Sequence, residues 1–363
     1  MSNVVFILGA GASRQCGAPL MSDFLDVASD LLRSNEVQEK RVEFERVFSA
    51  IGALQSVHSK AQLDLNNIES IFTVLELGRI IQRVPNLNSV EIVGAIAALK
   101  ELIVKTLEVT MKFPTHGSNI GVPRPYEAFG ELLGYLSHEA FPAQTTAVIS
   151  FNYDIAADMA MHKAGLGPDY IIEKPAGRQP FVPLLKLHGS LNWATEKDSR
   201  RIRPLHLASY FQYYSYNVFG KEHSNARLPI GSQLVEYFKK FASTEVEAEP
   251  VIVPPSWNKA DYHSALSNVW AAAAKHLSEA EQIFIIGYSL PETDSFFRHL
   301  YALGSVGTAP LRRFAVFNPD QSGATDRRFK ALLGPGASAR YEYHALPFES
   351  AIGHIKSLFP KRK

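Results

Sequence analysis

The chain of 363 residues is long enough for one large or two modest domains, and its 46% hydrophobic content can bury an ordinary globular core. Thirty-seven basic residues against 36 acidic ones leave a formal net charge of +1, so no overall field draws the protein onto nucleic acid or a membrane surface. A single cysteine, Cys16, excludes an internal disulfide and a cysteine-only zinc site within one chain, and it fits a reducing compartment.

The chain starts directly with a strand-like run, without a basic flank or cleavable apolar segment, as expected of a cytoplasmic protein. Val4–Leu8 is continuously apolar, the pattern of a strand buried on both faces of a parallel sheet. A helix is expected to follow, its body over residues 22–33 with Phe24, Leu25, Ala28, Leu31 and Leu32 at helical spacing. From about residue 36 to 113 the apolar periods are all helical, through Ile68, Ile71, Phe72 and Leu75 and then Val93, Ile96, Leu99, Ile103 and Leu107. This predicts a helical module, residues 36–113, inserted into a catalytic domain formed by 1–35 and 114–363. The most apolar stretch, 92–113, is interrupted by Lys100, Glu101, Lys105 and Glu108, too charged to cross a bilayer.

Residues 115–125, rich in glycine and proline, read as a loop returning to the sheet domain. Strand-like runs recur at 147–150, 184–188, 251–253, 283–287 and 314–318, with helical stretches at 156–163, 261–280, 293–303 and 324–333. The alternation predicts an α/β fold, a doubly wound Rossmann-like parallel sheet with ligands at the carboxyl ends of its strands. Between Trp193 and Pro250 an irregular insert carries Tyr210, Phe211, Tyr213, Tyr214, Tyr216 and Phe219. These rings suit stacking on a nucleotide or substrate, and equally packing of the insert onto the core or a second subunit.

Four segments place polar residues where strands end. Gly9-Ala10-Gly11-Ala12-Ser13 allows a backbone to approach a pyrophosphate, with amides and a helix start to receive it, and it is also an ordinary tight turn. Arg14 stands where the dehydrogenase fingerprint has a third glycine, which disfavours hydride chemistry. Asn152 and Asp154, after 147–150, can meet ribose, water or a carboxamide, or else shape a turn and cap the following helix. His188, followed by Gly189, is either a general base or a structural histidine. Gly287-Tyr288-Ser289-Leu290 and Asn318 read as phosphate and ribose contacts or as loop caps.

In this order the segments resemble the sirtuin-like family of NAD-consuming proteins, and in particular the zinc-free bacterial branch of NAD-depleting antiphage effectors. The resemblance covers roughly residues 3–20, 145–192 and 250–320. It implies a catalytic pair, Asn152 and His188, with Asp154 at the nicotinamide pocket. Gly9, Ala10, Gly11, Ala12 and Ser13, with Pro19 of Gly17-Ala18-Pro19, would hold the cofactor with Gly287, Ser289 and Asn318. Tyr288 replaces a threonine of the deacetylases, and Leu20-Met21-Ser22-Asp23-Phe24 replaces their Asp-Phe-Arg continuation. No cysteine follows Cys16, so the deacetylase zinc module is missing and no metal is implied.

The implied activity is hydrolysis of NAD+ to nicotinamide and ADP-ribose, with NAD+ as substrate. The alternatives are an NAD-dependent protein deacylase and a sensor that binds NAD or ADP-ribose without turnover. An enzyme that drains NAD needs control, so a homo-oligomer or a separately encoded partner such as a HerA-type ATPase is expected. Neither membrane nor direct nucleic-acid binding is expected.

Overall fold

The computed structural model describes residues 2–361 apart from 57–60, 117–118, 176, 206, 208–209, 211–224, 227, 229, 242–244, 254–259, 292–293 and 308. Its centre is a seven-stranded parallel sheet of β1 (Val4–Leu8), β2 (Thr146–Ser150), β3 (Gly167–Asp169), β4 (Phe181–Lys186), β5 (Gln282–Ile286), β6 (Arg313–Phe317) and β7 (Tyr341–His344). The spatial order is β7-β6-β5-β1-β2-β4-β3, so the chain winds outward in both directions from β1. That is the predicted doubly wound α/β fold, and the β1/β5 crevice is its switch point.

Register explains why distant motifs meet. Leu8 pairs with Ser150 on one side and Ile286 on the other, Ser150 pairs with Lys186, and Ile286 pairs with Phe317. Five strands therefore end on one line. The ladder runs one residue further, with Gly9 N–H donating to Ile286, Phe151 to Leu8, Leu187 to Ser150, and Gly287 to Phe317. Whatever follows each strand projects over the same edge.

The helices longer than one turn are, among the described residues, α1 (Phe24–Arg33), α2 (Arg41–Gln55), α3 (Ile68–Ile81), α4 (Ser89–Thr110), α5 (Arg124–His138), α6 (Ala156–Lys163), α7 (Ile230–Phe241), α8 (Ala260–Glu279), α9 (Ser295–Gly304), α10 (Ala324–Leu332) and α11 (Phe348–Ser357). Asn88 and Glu91 form a capping box at the start of α4, and the Asn67 side chain accepts from Glu69 N–H at the start of α3. Pro125 in the first turn starts α5, which lays Tyr126, Phe129, Leu132, Leu133 and Leu136 against the sheet. Phe129 meets Phe6 of β1 edge-on at 5.2 Å, and burying such a ring contributes about 1.5–3 kcal/mol.

Several expectations change. The 251–253 run does not belong to the parallel sheet: Val246–Ile252 pairs antiparallel with Gly189–Glu196, in a separate three-stranded sheet completed by Ile202–Pro204. Its residues are as apolar as those of the main strands, and only the pairing distinguishes them. The expected loop 115–125 is entered by the short strand Phe113–His116 and contains a second, Asn119–Ile120, and the insert between Trp193 and Pro250 contains α7. Phe211, Tyr213, Tyr214, Tyr216 and Phe219 lie outside the described residues, while Tyr210 is buried with its ring 6.5 Å from Tyr237. Within residues 36–113, Ile68, Ile71, Phe72 and Leu75 are all core. Half-exposed or freer apolar side chains there include Ile80, Ile81, Val90 and Val93.

Candidate functional site

The loop after β1 is fastened to the loop after β5. Gly11 N–H donates to the Gly287 carbonyl at 2.8 Å, and a Cβ on Gly11 would lie 2.8 Å from that same oxygen. Gly287 itself sits at φ +64. Glycine is thus required at residue 11 by a neighbouring backbone before any ligand is considered. The helix that begins here is one turn, Ala10–Ser13, followed by a 3-10 turn, Arg14–Cys16, and the long helix α1 starts only at Phe24. The helix start expected to receive a phosphate is therefore that of a single turn, and the long helix expected over residues 22–33 is a separate element. A third glycine is also unnecessary, because no long helix packs there. Arg14 instead pairs with Asp23 at 2.6 Å, and Asp23 also accepts from Leu20 N–H, which closes the 17–23 loop.

A buried polar hub joins this loop to β2. Asn152 Nδ2 donates to the Gly9 carbonyl at 2.9 Å and to Ser13 Oγ at 3.0 Å, with Tyr126 Oη at 3.3 Å. Ser13 Oγ donates to Asp154 Oδ2 at 2.6 Å and lies 2.8 Å from Tyr126 Oη. Asp154 Oδ1 accepts from the N–H of Ala156, the first residue of α6, at 2.9 Å. Burial pushes the Asp154 carboxyl above its ordinary pKa, opposed by Lys186 and its hydrogen bonds. Burial first, and then the Asp154 charge, push the Tyr126 phenol well up. The Ser13 proton is committed to Asp154, which leaves that hydroxyl no proton for a phosphate.

Beneath the hub lies a closed ring of buried side chains. Lys186 Nζ donates to the Asp154 carbonyl at 2.6 Å and to Ser190 Oγ at 2.5 Å, and pairs with Asp158 Oδ2 at 2.8 Å. Ser190 donates to Asn192 Oδ1, Asn192 Nδ2 donates to Tyr170 Oη, and Tyr170 donates to Asp158 Oδ1. The ammonium thus makes two hydrogen bonds and has its charge paired with Asp158. This accounts for the run from Lys186 to Asn192 around His188: its other polar members support the floor of the site. His188 sits at the corner where the chain leaves β4 for the antiparallel sheet. Gly189 turns that corner at φ +83, and a Cβ there would strike the Val251 carbonyl at 2.0 Å. The His188 ring is held by the edge contact of Phe151 at 5.3 Å, and Phe151 stacks on Tyr288 at 4.3 Å. Tyr288 in turn donates to Asp294 at 2.7 Å.

These pieces surround one cleft of about 610 Å³, within the ~300–1,000 Å³ common for small-molecule sites. Ala10, Gly11, Ser13, Pro19, Asn152, Asp154, His188, Gly287, Ser289 and Asn318 all line it. Gly9 and Ala12 are not in its wall: the Gly9 carbonyl holds Asn152, and Ala12 is buried. Asn318 Oδ1 accepts from Asp320 N–H at 3.0 Å, the loop-capping arrangement. The sequence reading missed Tyr126, Phe151 and Arg328, whose Nη1 donates to the Ser289 carbonyl at 2.7 Å. It also missed Asp64, Asn66, Asn67 and Glu69, through which the start of α3 supplies part of the cleft wall. Only Tyr126 carried a local signal, the helical spacing that it shares with Phe129 and Leu133. A second cavity of about 490 Å³, lined by Asp158, Tyr170, Phe181 and Leu205, contains none of the predicted residues. Among the described residues no three His, Cys, Asp or Glu side chains gather to hold a metal ion, and no helix is long and apolar enough to cross a membrane.

No protein-family model matches this chain, and no curated protein does. Solved structures do. A Sir2 homologue in complex with NAD aligns over 98% of this chain and 88% of its own, at 13% identity and a TM-score of 0.40. A mutant Sir2 homologue in complex with ADP-ribose aligns over 98% and 90%, at 12% identity and 0.42. A Sir2 enzyme bound to a propionylated peptide aligns over 98% and 92%, at 11% identity and 0.37. Likeness at this level does not assign a family or a site, and the architecture stands on its own strand order and register.

Proposed function

We propose that the cleft binds NAD+ and that the protein cleaves the bond between nicotinamide and ribose, releasing nicotinamide and ADP-ribose. The observation that supports this reading is convergence: the motifs that resemble one family's dinucleotide contacts lie as far apart in sequence as Ala10 and Asn318, and they line one cleft. Nicotinamide belongs near Asn152 and Asp154, its ribose near His188, and the pyrophosphate over Ala10 and Gly11, with the adenosine end toward Ser289 and Asn318. Cleavage of an N-glycosidic bond builds positive charge on the ribose. The buried Asp154 carboxylate and the Asn152 amide oxygen favour that charge. His188 acts as base or orients a ribose hydroxyl, and water completes the reaction.

The finer reading is an NAD-depleting bacterial defence effector in the cytoplasm, held in check by self-assembly or by a separately encoded partner such as a HerA-type ATPase. It rests on the motif resemblance, and the helical segment 36–113 is the natural place for such control. Incubation of the purified protein with NAD+, alone and with an acetylated peptide, tests the reading by resolving nicotinamide, ADP-ribose and acyl-ADP-ribose. Nicotinamide and ADP-ribose without peptide support hydrolysis. Turnover only with peptide makes the protein a deacylase, and binding without turnover makes it a sensor.

A further inference from the structure

The two ends of the Asn152 amide are chemically opposite, and its surroundings distinguish them. The Gly9 carbonyl, 2.9 Å away, can only accept a hydrogen bond, so the nitrogen must face it. The two hydroxyls on the same side, Ser13 and Tyr126, can donate or accept, and if they donated toward Asn152 they would favour the flipped amide. The Asp154 carboxylate prevents this. It takes the Ser13 proton at 2.6 Å, which leaves the Ser13 oxygen to accept the Tyr126 proton at 2.8 Å. Both hydroxyl protons then point away from Asn152, and the two oxygens share the second Nδ2 proton, the first being held by the Gly9 carbonyl. Among the described residues none donates to Asn152 Oδ1, and Asn152 lines the cleft.

We infer that Tyr126 is a positioning residue: with Ser13 and Asp154 it forms a one-directional hydrogen-bond chain that holds the Asn152 carbonyl oxygen toward the cleft. Asn152 then meets its ligand as an acceptor, for a ribose hydroxyl or a water, and not as a donor. Tyr126 is fully buried and is not part of the cleft wall, so it acts through Asn152. The amide orientation stands on the hydrogen bonds alone, while its kinetic consequence rests on the proposed NAD+ cleavage.

Tyr126→Phe tests the chain, since it removes one oxygen and keeps the ring that packs edge-on against Phe348 at 5.1 Å. In the full-length ¹⁵N-labelled protein, the Asn152 side-chain NH₂ signals are identified by their loss in Asn152→Asp. The expected result in Tyr126→Phe is about tenfold faster hydrogen exchange of these protons, the scale of one lost hydrogen bond. With NAD+ as substrate, kcat falls about tenfold while KM stays within about twofold. Unchanged exchange overturns the inference, as does a loss carried by KM with kcat intact. If the wild type releases no nicotinamide, the proposed function fails and the exchange measurement still decides the orientation. Should Tyr126→Phe fail to fold, Ser13→Ala breaks the same chain one link on and is read in the same way.

Discussion

Two Asn-x-Asp tripeptides follow two parallel strands of one sheet, Asn152-Tyr153-Asp154 after β2 and Asn318-Pro319-Asp320 after β6, and they behave in opposite ways. At the first, Asn152 bonds to residues more than a hundred positions earlier, and burial pushes Asp154 up. At the second, Asn318 bonds to Asp320 of its own loop, and Asp320 accepts from Ser322 N–H, Ser322 Oγ and Thr325 N–H. Those donors, the Ser322 hydroxyl foremost, hold the Asp320 carboxyl well below the usual range. The difference lies in what covers each loop. β2 lies inside the sheet next to β1, where Tyr126 of α5 reaches the Asn152 side chain, whereas β6 neighbours the edge strand β7, whose Tyr343 hydroxyl bonds only to the loop's backbone carbonyls and leaves the Asn318 and Asp320 side chains to partners within the loop. A tripeptide at a strand end becomes chemistry or a turn according to its neighbours in space.

The largest expected effect is on the covered end. Lys186→Ala strands the fully buried Asp158 and should lower stability by about 3–5 kcal/mol, seen as a lower denaturant midpoint. A double variant, Lys186→Met with Asp158→Leu, should recover most of that loss. Wild-type stability in Lys186→Ala alone would mean that the ring does not support the hub. Next, Asn152→Ala or His188→Ala should each slow nicotinamide release by about a hundredfold or more, as for removal of a transition-state contact or an acid–base group. Retained rates in both folded variants would remove them from the reaction.

Effects at the self-closed end should be smaller and of another kind. Asn318→Ala should raise KM for NAD+ by less than about tenfold and leave kcat within about twofold, and a kcat loss matching that of Asn152→Ala would erase the contrast between the tripeptides. Asp320→Ala should cost about 1 kcal/mol as a lost cap, read from the thermal midpoint. Because the Asp320 pKa is lowered on folding, its contribution is full above about pH 4 and disappears as pH falls through the lowered value. Wild type and Asp320→Ala should therefore converge in strongly acidic buffer. A gap that widens there would contradict the assigned hydrogen bonds.

Much was legible because burial on both faces leaves a local mark. The apolar runs of β1, β2, β4, β5 and β6 identify strands without reference to anything else, and polar residues at their ends identify a ligand edge. Strands β3 and β7 escaped notice because they are short edge strands of mixed polarity, with no such mark to leave. The run at 251–253 carries the mark and still belongs to another sheet, since apolarity records burial and not the partner.

The sequence by itself determined which residues stand at strand ends and which residue types were available there, because strand burial and turn chemistry act over a few residues. Which strand ends meet is decided by long-range pairing, and that pairing alone brings Ser13 within 2.6 Å of a carboxylate 141 residues away. The tertiary structure likewise placed the start of α3 in the cleft wall and aimed Tyr126 at Asn152. The direction of that hydrogen-bond chain follows from a buried charge, Asp154, whose neighbours no local pattern records.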